Sequence, residues 1–144
     1  MALNTILQLR LNNVAVVGGN VQKAREGTIV VTSLDWSFDS DDNIGEVKFT
    51  AELDRETPVI GNGLKNDAVA DALFDFYDLN KSTGAEVKIF TLHGTSGRVT
   101  SVNLWQMNNL DPNLARYAVT IQYTMSFTAI EQTWVATNTS VTIP

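Results

Sequence analysis

Apolar and polar residues alternate along most of this chain, and a period of two places successive side chains on opposite faces of a strand. In the first segment Leu3, Leu7, Leu9 and Leu11 share one face, with Asn4, Gln8, Arg10 and Asn12 on the other. After the turn-like GGNVQKAREG, the segment TIVVTSLDWSF sets Val30, Leu34, Trp36 and Phe38 against Ser33, Asp35 and Ser37. A polar turn, DSDDNIG, leads to a third strand in which Val47, Phe49, Ala51 and Leu53 alternate with Glu46, Lys48, Thr50, Glu52 and Asp54. The longest pattern comes late. Tyr117, Val119, Ile121, Tyr123, Met125, Phe127 and Ala129 face one way, and Thr120, Gln122, Thr124, Ser126 and Thr128 the other. It reads as one long strand with an uncharged polar face, followed by an extended Thr-rich tail, TWVATNTSVTI.

Residues 55–80 are ambiguous. Thr57 followed by Pro58 fits a helix N-cap with proline at the first helical position, although Gly61 and Gly63 weaken the helix beyond it. Farther on, Ala68, Val69, Ala72, Leu73 and Phe76 have helical spacing, while Ala72, Phe74 and Phe76 also alternate with Leu73, Asp75 and Tyr77. The pattern is read as a helix from Pro58 to about Val69 and a strand from Ala72 to Leu79, with NKSTG as a hairpin loop to AEVKIFTLHG. HGTSGR reads as a second turn, RVTSVNLWQ as a strand and NNLDPN as a loop.

A length of 144 residues with 44% hydrophobic content suits one domain, 1–144, with one core. Charged residues are only 18%, so the surface leans on Thr, Ser, Asn and Gln. A net charge of -6 without a basic cluster argues against nucleic acid and anionic membranes as partners. Lys23 and Arg25, followed by Glu26, read as a solvated loop. The absence of cysteine excludes disulfides, thiolate metal sites and thiol nucleophiles. The start MALNTILQLR lacks the features of a Sec-type signal peptide and no apolar run is long enough to span a membrane, so synthesis in the cytoplasm is expected.

Candidate chemistry is sparse. His93 is the single histidine and lacks a visible nucleophile and orienting acid, so it reads as a surface or hydrogen-bonded residue. Asp39, Asp41, Asp42 and Asn43 begin like a calcium loop, but Ile44 stands where glycine is needed and Thr50 where a bidentate Glu is needed. A solvated turn accounts for them better. GNGLKN, from Gly61 to Asn66, has neither the glycine spacing nor the ending of a phosphate-binding loop. The sequons at Asn80 and Asn138 would matter only in a secreted eukaryotic chain. Nothing singles out a carboxylate pair for glycoside hydrolysis. Trp36, Trp105 and Trp134 offer a sugar-stacking platform in principle, but on alternating strands they read as core or interface.

Four pieces, taken in order, resemble the haemolysin-coregulated protein family, the Hcp tube proteins of type VI secretion systems. They are TIVVTSLDWSF, VKFTAELDRETPVI with its strand running into Asp-x-x-Thr-Pro, GRVTSVNLW and RYAVTIQYTMSFTAI. The resemblance spans about the whole chain through short motifs; the short DSDDNIG turn departs from the glycine-rich loop common in the family. It implies a mainly β fold, a β-barrel of two antiparallel sheets with one short flanking α-helix. It also implies a homohexameric ring, stacked rings forming a hollow tube, and sheath, spike and baseplate proteins as partners, with effector cargo in the lumen. Such a subunit is not an enzyme, needs no cofactor or metal, and leaves the cell through the apparatus without a signal peptide. Asp39, Asp41, Asp42, Thr57 and Pro58 are the expected subunit interface, and Thr120, Gln122, Thr124, Ser126 and Thr128 the expected lumen or wetted face. A tail-tube protein of a phage or phage-like particle is the close alternative. A carbohydrate- or protein-binding β-sandwich module and a small β-fold hydrolase are the alternatives of other classes.

Overall fold

The computed structural model describes residues 4–41, 44–106, 108–113 and 119–144. In chain order the elements are β1 (Asn4–Leu11), β2 (Val14–Ala15), β3 (Ile29–Val31), β4 (Ser33–Asp35), β5 (Val47–Glu52), α1 (Glu56–Lys65), β6 (Ala70–Leu79), β7 (Glu86–Trp105), β8 (Thr120–Ser126), β9 (Ala129–Trp134) and β10 (Thr139–Ile143). The fold is mainly β and antiparallel, as the alternation predicts. A continuous hydrogen-bonded path runs β2-β1-β6-β7-β8-β5-β4, with β3 added on β1 and the β9–β10 hairpin added on β7. The path does not return to its own beginning, so the expected barrel is an open sheet folded over on itself.

The fold-over occurs within β7. Its first half pairs with β6 and β9, and its second half with β8, which passes the path from a first sheet to a second. The segment HGTSGR, expected to be a turn, is therefore the bent middle of a 20-residue strand. Two register shifts mark the bend, one against β6 between Ala70 and Ala72 and one against β8 between Val99 and Ser101. Ser96 takes a left-handed φ of 50° within the first of them. Extra residues of this kind bend a strand and increase its twist. The Phe127 ring lies on the concave side. A Cβ on Gly94 would stand 2.6 Å from that ring, and one on Gly97 would stand 2.3 Å from it and 2.5 Å from the Ser126 carbonyl oxygen.

The neighbouring chain turns the same corner. The predicted long strand ending at Ala129 is instead two strands, β8 in the second sheet and β9 in the first, broken at Phe127–Thr128. Its part at residues 114–118 lies outside the described residues. The break shifts the alternation by one position, so Ile130, 0% exposed, takes the core place expected of Ala129. A similar crossing at Thr32 corrects the second segment. β3 pairs with β1 and β4 with β5, so Ile29 and Val31 are buried while Val30, expected on the apolar face, is 49% exposed.

Between the sheets, Leu7, Leu9, Phe74, Leu92 and Ile130 meet Val47, Phe49, Ala51, Ile121, Tyr123 and Met125, all buried. Phe49 joins the two layers, with ring centroids 5.3 Å from Phe74 and 5.2 Å from Tyr123. Residues 70–79, with both periodicities available, form a strand because β1 and β7 flank it on both sides. The helix ends at Lys65, earlier than expected. Asp67 turns left-handed at φ 53° and the Ala68 N–H bonds the Gly63 carbonyl, which aims the chain into β6.

Truncating Phe127 to Ala is expected to cost roughly 3–5 kcal/mol of unfolding free energy. Gly97→Ala, by forcing the ring and the Ser126 carbonyl apart, should cost roughly 1–3 kcal/mol. Because the two changes share a contact, equilibrium denaturation of the double variant should show less than the sum of the two losses.

Candidate functional site

The second sheet carries one continuous polar surface. Residues paired across neighbouring strands point the same way, so Ser33 and Asp35 of β4, Lys48, Thr50 and Glu52 of β5, and Thr120, Gln122 and Thr124 of β8 share the side opposite the core. Ser101, Asn103 and Trp105 of β7 extend it. Lys48 stands across from Asp35 on this face, and Arg98 stands across from Ser126 at its end. Thr32, Ser33 and Thr50 are tied by hydroxyl contacts of 2.7 and 2.6 Å. Of the side chains expected on a wetted face, Gln122 is exposed, Thr120 and Ser126 are half-buried, and Thr124 is only 7% exposed. Thr128 is exposed too, but at the corner, where its hydroxyl donates to the Thr95 carbonyl at 3.2 Å.

The expected interface residues lie on two separate segments, the turn before β5 and the start of α1. Asp39 and Asp41 are exposed, the Asp41 N–H bonding the Asp39 carboxylate at 3.0 Å to tighten the turn, and Asp42 lies outside the described residues. Pro58 is exposed on the helix. Thr57 is not the N-cap. Arg55 holds that position in a helical conformation without a side-chain cap bond, while the Thr57 hydroxyl accepts the Tyr123 O–H at 3.0 Å and the Asp54 N–H at 3.4 Å. The draw of the buried Tyr123 thus moves the helix start forward to Glu56.

Glu56 is the residue that pattern reading missed. It begins α1 with only 2% exposure, and its Oε2 is buried without a hydrogen-bond partner. Burial, reinforced by the Asp54 charge, pushes its carboxyl above the usual range, although its own backbone N–H and Arg55 work against this. Burial likewise raises the Tyr123 hydroxyl, with the Glu56 charge adding to it. A helix read as starting at Pro58 leaves Glu56 before it, and nothing in the DRET sequence shows its depth.

Two further surfaces matter. The β9–β10 hairpin extends the first sheet past the cover of the second. There Phe76, Phe90, Trp134 and Val141 lie on the core-facing side, yet Trp134 is 48% and Val141 52% exposed. On the opposite side of the same sheet, the loop of residues 16–28 is held down by Arg25. The reading of that arginine as solvated is corrected: its guanidinium lies 3.5 Å from the centre of the Tyr77 ring and 2.7 Å from Glu86. Burial raises the Glu86 carboxyl, but the hydrogen bond and charge of Arg25, with bonds from Gln22 and Asn4, more than offset it and leave it below its usual range. His93 bonds Asp71 at 2.8 Å on this side. Trp36, half-buried and stacked 5.1 Å from Phe38, Trp105 on the polar face and Trp134 on the apolar overhang are on different surfaces and form no platform. Among the described residues, no His, Asp or Glu side chains gather as metal ligands, and no helix is long and apolar enough to cross a membrane.

Fold and surfaces together define a class, a two-sheet antiparallel scaffold with open edges, one flanking helix and a polar outer sheet face. The solved structures similar to it include Hcp proteins. Hcp1 of E. coli EAEC 042, as a mutant, superposes with a TM-score of 0.84 at 19% identity, covering 98% of this chain and 97% of that one. The secreted protein Hcp3 of Pseudomonas aeruginosa gives 0.84 at 10% identity, with 98% and 97% covered. Hcp1 of Salmonella typhimurium gives 0.79 at 16% identity, with 98% and 94% covered. The Hcp resemblance read from the sequence is thus borne out as a fold. No family model and no curated protein matches the sequence itself.

Glu56 and Glu86 should tilt stability in opposite directions with pH. Glu56, raised in the fold, contributes fully below its unfolded value of 4.5, and that contribution is lost as pH rises through its folded value. Glu56→Gln should therefore be more stable than wild type at neutral pH, with a flatter pH profile in thermal melts. Glu86, lowered in the fold, contributes above 4.5, and its contribution is lost as pH falls through its folded value. In Arg25→Gln the Glu86 carboxyl, followed by NMR, should titrate at a higher pH than in wild type.

Proposed function

We propose that this chain is the inner-tube subunit of a contractile injection apparatus of the type VI secretion kind. In this reading 1–144 form one tube domain, six copies close into a ring, and rings stack into a hollow tube that passes cargo and performs no reaction of its own. The observation that carries it is likeness over nearly the whole length to several Hcp structures, at TM-scores up to 0.84. The surfaces support assembly. Among the described strands, β10 pairs only with β9 and β4 only with β5, leaving edges of the kind that proteins close, blunt or pair with another chain. The apolar underside beside β10 suits the same second copy, which would cover Trp134 and Val141. A neutral polar sheet face such as that around Gln122 suits a wetted lumen, because cargo passing it meets neither a large apolar patch nor a strong field of one sign. The ring, its sheath, spike and baseplate partners and export without a signal peptide belong to this proposal.

Light scattering after gel filtration should give a hexamer or larger ring, and negative-stain images should show annular particles. A monomer that persists at high concentration would overturn the reading. Trp134→Asp combined with Val141→Asp should yield monomers with an unchanged far-ultraviolet circular dichroism spectrum, since both side chains lie largely outside the core.

A further inference from the structure

A cleft of about 210 Å³ opens where the end of β5 meets the start of α1, under the loop that comes after β2. Asn20, Val30, Thr32, Glu52, Asp54 and Glu56 line it. Three of these are carboxylates, and the volume is small beside the ~300–1,000 Å³ of ordinary small-molecule pockets. The Asn20 amide is already committed to Thr28 and the Thr32 hydroxyl to Thr50, whereas the buried Glu56 Oε2 finds no hydrogen-bond partner among the described residues. The nearby cation is Arg55, an exposed side chain whose Nε lies 4.0 Å from Asp54. A buried carboxylate oxygen without a donor is costly, and a buried charge persists where it finds a counter-charge.

From this geometry we infer that the cleft receives the head of one basic side chain, an arginine guanidinium or a lysine ammonium, with Glu56 Oε2 as the innermost acceptor and Glu52 and Asp54 at the rim. A planar guanidinium has donors enough to meet several of these oxygens at once, and an ammonium can meet up to three. The grouping of carboxylates does not suit a metal ion, since no ligand set for one forms among the described residues. The charged and titratable groups that act on Glu56 are Asp54 and Arg55 before the helix, with Tyr123 of β8 coupled to it, and Glu52 of β5 lines the same cleft. Because the protonated carboxyl cannot pair with a cation, binding strengthens as pH rises through the Glu56 titration, and the bound cation in turn draws that titration downward. Extending the assembly reading above, and resting on it only for the origin of the cation, the basic side chain comes from a second copy of this chain.

The test is an NMR titration of the full chain, at dilute protein, with N-acetyl-arginine methylamide. Saturable shifts at Thr32, Glu52, Asp54 and Glu56 are expected, with affinity rising with pH and falling about tenfold or more in Glu56→Gln. Glu52→Gln and Asp54→Asn should weaken binding by smaller factors. Absence of saturable shifts, or equal affinity in a folded Glu56→Gln chain, would overturn the inference. A second arm identifies the source. If the cation comes from a second copy, the probe and Glu56→Gln should each weaken self-association measured by light scattering. Binding of the probe with unaltered assembly supports the cleft and assigns its cation to a different chain. Probe binding by a chain that never assembles supports the cleft while removing the tube reading.

Discussion

The contact on which the rest of this structure depends is the Phe127 ring lying against Gly94 and Gly97. A strand as long as β7 can serve two sheets only if it bends sharply, and its partner must bend beside it. Side chains on the inside of such a bend compete for one volume. Here the competition is resolved by giving that volume to a single ring and removing the Cβ atoms opposite it. This corner produces the passage of the path between sheets, the split of β8 from β9, and the meeting of Phe74 with Phe49 across the core. The open edges at β4 and β10 are also its consequence, because a folded sheet that does not close must end somewhere.

That same corner explains which parts were legible in advance. Straight strands announced themselves: Leu7, Leu9 and Leu11, or Val47, Phe49 and Ala51, keep one parity and one face. Where the chain crosses between sheets the parity slips by a residue, and a simple alternation carries the old phase forward. Val30 and Ala129 depart from their expected faces for that reason, at Thr32 and at Phe127–Thr128 respectively. HGTSGR has the composition of a turn because the Phe127 ring leaves no room for a Cβ at Gly94 or Gly97, while the strand bends there and continues. Local composition does not distinguish a chain that reverses from one that bends and continues; the strands on either side decide it.

The surfaces were less legible than the fold. Thr57 and Arg25 are polar residues that any pattern assigns to solvent, yet one is bonded to the buried Tyr123 and the other lies on Tyr77 beside Glu86. Glu56 is the sharper case, since a first-turn glutamate is ordinarily at the surface. Its burial arises because the loop after β2 and strand β8, both distant in sequence, close around it beside the adjoining end of β5. Such depth is a property of the assembled fold. By contrast, the neutral face of β8 was visible at once, because Thr120, Gln122, Thr124 and Ser126 recur at every second position.

Identity of 10–19% with structures of closely matching shape narrows what the shape itself requires. Two-sheet packing needs apolar residues at alternate positions, small residues at the bend and a helix able to cover one flank, and many sequences satisfy these conditions. An assembling scaffold adds conditions at its edges and on its polar face, where partners differ from one system to another. Divergence is therefore least constrained by the fold at the surfaces that carry recognition. The acidic cleft at Glu56 has this character, because it touches the core only at its floor and offers its rim, Glu52 and Asp54, to whatever chain arrives. In the assembly proposed above, one architecture is kept while a buried carboxylate and its basic counterpart decide which copies fit together.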